Sequence, residues 1–91
     1  MVVIELFDED SPIDNILGSL MIKTEKVIFL GANKKKFYVH AQRYQKILSG
    51  RGWNTDFEFY SISKNNVDAI VEIFDELIQI YPNCVFDLSG G

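Results

Sequence analysis

The sequence predicts an α/β fold in which a parallel sheet carries helices on both faces, with elements in the order βαβαβαβ. Three observations lead there. Four short runs rich in Val, Ile, Leu and Phe occupy residues 2–7, 26–30, 55–62 and 84–88. Between them lie three segments whose apolar residues recur at three-and-four spacing, and turn or capping residues mark each changeover. Strands that alternate with helices need crossover connections, which are right-handed and make the sheet parallel, so the architecture is Rossmann-like.

Val2, Val3, Ile4, Leu6 and Phe7 make a nearly continuous apolar run, the pattern of a strand covered on both faces. The acidic turn Asp8-Glu9-Asp10 follows. Ser11 suits an N-cap, Pro12 the first helical position and Asp14 a capping-box acid, so a helix is expected with Ile13, Ile16, Leu17, Leu20 and Met21 on one face. The second strand ends at the turn Gly31-Ala32-Asn33. The next helix should bury Phe37, Ala41, Tyr44 and Leu48, with Tyr38 and Ile47 beside them, and stop at Ser49-Gly50-Arg51-Gly52. Trp53 is expected to pack as the chain re-enters.

In the third strand Phe57, Phe59 and Ser61 share one face, while Asp56, Glu58, Tyr60 and Ile62 take the other; the polar start marks an edge strand. Capping residues at 63–66 precede a third helix. Its apolar stripe is Val67, Ile70, Val71, Phe74, Leu77, Ile78 and Tyr81, and Asp68, Glu72, Asp75 and Glu76 cover its solvent side. Pro82 and Asn83 end that helix, and residues 84–88 form the last strand.

In the usual doubly wound order the sheet reads 3-2-1-4, so a crevice opens between the carboxyl ends of strands one and four. The loops at 8–11 and 89–91 meet there. Ser89-Gly90-Gly91 lets backbone N–H groups approach a ligand without intervening side chains, and a helix ordinarily starts next. The chain is therefore expected to be the front part of a longer protein, truncated after strand four.

At 91 residues, 47% hydrophobic and 24% charged, the chain suits a single domain over 1–91. Its apolar runs are far shorter than the roughly 20 residues that cross a bilayer, and no basic leader precedes a hydrophobic stretch, so a cytoplasmic protein without membrane contact is expected. The single cysteine, Cys84, has no partner for a disulfide or a zinc site and reads as a small core residue. A net charge of −4 argues against direct, general binding of nucleic-acid backbones.

Several residues admit two readings. Asp8, Glu9 and Asp10 suit the positive end of a helix dipole, a carboxylate contact to a ribose or adenine, or a magnesium site. A phosphoacceptor receiver would need an aspartate after strand three, where Tyr60-Ser61-Ile62-Ser63 stands. Lys34, Lys35 and Lys36 sit at the start of the second helix, against its dipole, as a solvated turn or as a phosphate contact for Lys34 and Lys35. His40 reads as a surface or packing residue; Trp53, Tyr38 and Tyr44 read as core aromatics with base stacking as the alternative. Gly31 lacks a GxGxxG context, which excludes a dinucleotide fingerprint.

The segment "SPIDNIL" at 11–17, entered from the acidic turn, and "VFDLSGG" at 85–91 resemble the amino-terminal part of a CRISPR-associated Rossmann-fold (CARF) domain, in the group found in the Card1 and Can2 nucleases. The order of elements is similar along all 91 residues, and the specific likeness is confined to 8–17 and 87–91. In that family the glycine pair is normally followed by threonine and often lysine, and this sequence ends before those positions. The resemblance implies a sensory domain that binds a cyclic oligoadenylate second messenger across a homodimer and activates a carboxyl-terminal nuclease in antiviral defence. It implies a ligand site at Glu9, Asp10, Ser11, Ser89, Gly90 and Gly91, with no catalytic residue, metal or cofactor in these 91 residues. A phosphotransfer enzyme fragment using Asp8 and Asp10 with magnesium, and a structural interaction domain, are the alternatives.

Overall fold

The computed structural model describes residues 1–7, 10, 24–63 and 65–87. Its elements are β1 (Val2–Leu6), β2 (Lys26–Gly31), α1 (Lys34–Gly50), β3 (Asp56–Ser61), α2 (Val67–Ile80) and β4 (Val85–Asp87). The helix expected from Ser11 to Met21 lies outside the described residues, as does Leu88, the expected end of the last strand. All strand pairs are parallel and the sheet order is β3-β2-β1-β4, as the connection rules predict.

Strand alternation divides the core into two layers. On one face Phe7, Val27, Phe29, Phe37 and Tyr44 are buried, with Ala41, Phe57 and Phe59 packed against them. This layer seats α1. On the other, Ile4, Ile28, Leu30 and Leu77 are buried, joined by Tyr60, Ile62, Ile73, Phe74, Cys84 and Phe86. That layer seats α2. The two faces expected for β3 are the two observed, because a period of two assigns side chains locally.

Both described helices start on asparagine. The Asn33 side chain accepts from the Lys36 N–H and that of Asn66 from the Ala69 N–H, each satisfying a donor that the first turn leaves unpaired. At the end of α1, Gly52 takes φ +78° and its N–H donates to the Ser49 carbonyl, so the glycine stop is real and sits at Gly52.

Expectations about burial fail on the outer arcs of both described helices. Val67, Val71 and Ile78 are 67%, 49% and 47% exposed, since the apolar arc of α2 is wider than the strip that a sheet covers, and Ile70, Ile73, Phe74 and Leu77 take the covered part. Tyr38 is 57% exposed, on the outer side of α1, where Lys34 lies 5.7 Å from its ring centre. Trp53 is half-buried beside Arg51. Tyr44 is core, and His40 packs its ring 6.0 Å from that of Tyr44.

Gly31 is more than a turn residue. It ends β2 with a buried backbone, and a Cβ there would stand 3.1 Å from Phe59 Cε2 and 3.3 Å from Phe7 Cβ. Phe59 is held by Phe37 at 5.0 Å and Phe7 at 6.1 Å, so it has little room to yield. Gly31→Ala is expected to lose about 1 kcal/mol of stability, the overpacking cost exceeding the entropic benefit of removing a glycine. A urea melt monitored by circular dichroism checks this; an unchanged or raised midpoint would show that the two rings can move apart.

Candidate functional site

Sheet order places the candidate site. β1 is flanked by β2 on one side and β4 on the other, with the register Val3 to Val85, Ile4 to Phe86 and Glu5 to Asp87. The described helices take opposite faces, α1 against the Phe29 layer and α2 against the Leu77 layer. In an open sheet of this kind, the crevice beyond the carboxyl ends of the strands where the connections diverge is where ligands bind. Here that is the end of the β1–β4 pair.

Glu5 and Asp87 form the last register pair at that end. Glu5 is only 7% exposed, and burial, with the neighbouring Asp87 charge as a smaller cause, pushes its carboxyl up to about 8. At neutral pH it is therefore mostly protonated, able both to donate and to accept a hydrogen bond. The sequence carried a signal for this residue: it is the one ionisable side chain in the run 2–7.

Of the expected site residues, Asp10 is described and exposed. Glu9, Ser11, Ser89, Gly90 and Gly91 lie outside the described residues, as does Asp8 of the magnesium reading. Lys34 and Lys35 are exposed in the first turn of α1, beyond the carboxyl end of β2, the strand next to β1. Among the described residues no three of His, Cys, Asp or Glu gather closely enough to hold a metal ion. None of the described helices is long and apolar enough to cross a membrane.

A depression of about 320 Å³ lies at the opposite end of the sheet, lined by Met1, Val2, Glu25, Tyr81, Pro82 and Cys84 among others. It faces the amino ends of the strands, so it is separate from the crevice.

No protein-family model matches the sequence, and no curated protein matches it. Among solved structures, the chain is similar to Can2 from Sulfobacillus thermosulfidooxidans in complex with cyclic tetra-adenylate, with a TM-score of 0.69 and 17% identity over 94% of this chain. The two share one fold. The match spans 24% of the Can2 chain, so this sequence corresponds to about a quarter of its length. At that identity the likeness fixes the Rossmann-like architecture.

Proposed function

We propose that the chain is a CARF-like sensory module that binds a cyclic oligoadenylate beyond the carboxyl ends of β1 and β4. The observation that supports this reading is the β3-β2-β1-β4 order, in a fold shared with a protein solved with cyclic tetra-adenylate; open sheets of this order bind ligands beyond the carboxyl ends of such a pair. Glu9, Asp10 and Ser11 would contact ribose or adenine from one loop, and the N–H groups of Ser89, Gly90 and Gly91 would meet phosphate or base from the other. The module would act as a homodimer and control an effector, a nuclease, elsewhere in its parent protein. Control of that kind requires the ring to bind one dimer arrangement more tightly than another, and the shift can be no larger than this difference.

The test is a calorimetric titration of the parent protein with cyclic tetra-adenylate and cyclic hexa-adenylate, run in parallel with magnesium and with a chelator. The expected result is saturable binding near one ring per dimer, weakened about tenfold or more by Gly90→Asp, which corresponds to at least ~1.4 kcal/mol. No heat with either ring in either condition would reject the ligand class. Binding that needs magnesium would move the assignment to the acidic loop.

A further inference from the structure

Charge is sorted by face. Six of the nine Lys and Arg residues, Lys34, Lys35, Lys36, Arg43, Lys46 and Arg51, lie in α1 or directly after it, and no acid interrupts them. Helix α2, on the other side of the sheet, carries Asp68, Glu72, Asp75 and Glu76 and no cation. Among the described residues, the two helices therefore carry charge of opposite sign. With a sheet and two side-chain layers between them, the helix axes stand roughly 20 Å apart. The Debye length at physiological salt is about 8 Å, so a partner at α1 is largely screened from the acids of α2.

The cations of α1 other than Arg51, its C-cap, gain nothing from the helix dipole. Three of them occupy the first turn, which has no acid, and the last turn has no base, the reverse of what the helix dipole favours. Lys35, Arg43 and Lys46 are exposed, and none of the three makes an ion pair with a described residue. At ~100° per residue they fall within one quarter of the helix circumference, and at ~1.5 Å per residue the row from Lys35 to Lys46 is about 16 Å long. Tyr38 stands beside that row with its ring 57% exposed.

We propose that this face of α1 binds the sugar-phosphate backbone of a single-stranded nucleic acid, with Lys35, Arg43 and Lys46 meeting successive phosphates and Tyr38 offering its ring to a base. A positive track with an adjoining aromatic platform is the recurring chemistry of such binding. An acidic protein fits less well, because a protein interface gathers its apolar residues at its centre. Here the exposed Tyr38, Val39 and Ile47 are spread around the helix with Lys35, Arg43 and Lys46 between them. The surface lies along the outside of α1 and does not depend on the cyclic ligand reading.

The experiment is fluorescence anisotropy of the purified protein with a fluorescein-labelled oligouridylate across a salt series, without any cyclic nucleotide. About three phosphate contacts predict a log–log slope near −2, a loss of roughly tenfold to twentyfold between 50 and 200 mM salt. The variant K35Q/R43Q/K46Q, all at exposed positions and checked for fold by circular dichroism, should lose at least about tenfold, on the measured scale for phosphate contacts. The variant D68N/E72Q on α2 should bind as the wild type does. Absence of binding at low salt, or equal binding by the triple variant, would overturn the proposal. So would salt-sensitive self-association, seen by sedimentation and abolished by the same triple variant, since the face would then belong to a second copy.

Discussion

Phe29→Ala is expected to cost about 3–5 kcal/mol and to leave the protein largely unfolded at ordinary temperature. Phe29 is fully buried at the centre of the sheet face that seats α1, with ring centres of Phe7, Phe37 and Phe57 at 5.6, 5.7 and 6.0 Å and that of Tyr44 at 6.4 Å. Truncation removes the transfer energy of the ring and leaves a cavity bounded by aromatic side chains, which relax less readily than flexible aliphatic ones. A chain of 91 residues has little reserve against such a loss. Equilibrium urea unfolding measures it. A loss below about 1 kcal/mol would mean that the aromatic layer repacks, contrary to close packing in this face.

The second large effect concerns pH. Glu5 has a carboxyl near 8 in the folded chain against 4.5 as the ordinary value, so between these limits the folded state holds a proton that the unfolded state has released. Stability contributed by this group is fully present below pH 4.5 and is lost as pH rises to about 8, beyond which the loss is complete. At 1.36 kcal/mol per unit the loss is at most about 5 kcal/mol. Glu5→Gln keeps the shape and removes the ionisation, so it should flatten the profile and melt well above the wild type at pH 9. Parallel pH profiles for the two proteins would show that Glu5 ionises freely when folded. Asp87→Asn should move the wild-type slope to lower pH, because the neighbouring charge is the smaller cause of the shift.

The sheet was readable because its determinants are local. Apolar runs and period-two alternation assigned Phe57 and Phe59 to one layer and Tyr60 and Ile62 to the other, and the connection rules then fixed the order of strands. Exposure of Val67, Val71 and Ile78 was not readable, because helical periodicity marks an apolar arc without saying how much of it a neighbour covers. Tyr38 failed for the same reason. Of the site, the sequence predicts two loops at the carboxyl ends of β1 and β4, most of whose residues lie outside the described ones, and it passes over Glu5, whose protonation comes from burial brought about by folding. Of the basic face only Lys34, Lys35 and Lys36 stand out in the sequence; Arg43 and Lys46 join them through helical geometry, which a net charge does not carry.

The pairing of β1 with β4 joins Val3 to Val85, far apart in the sequence, and among the described residues β4 pairs only with β1. Closing so long a loop costs more entropy than the nearer pairings of β1 with β2 and β2 with β3, so this contact is repaid only when the rest of the sheet is in place. The crevice therefore does not exist in a partly folded chain that already has β1, β2 and β3 in place. A three-residue strand also detaches at lower free energy than the interior of the sheet. Any molecule that spans the two strands thus acts as a kinetic clasp, holding the beginning of the sequence against its end.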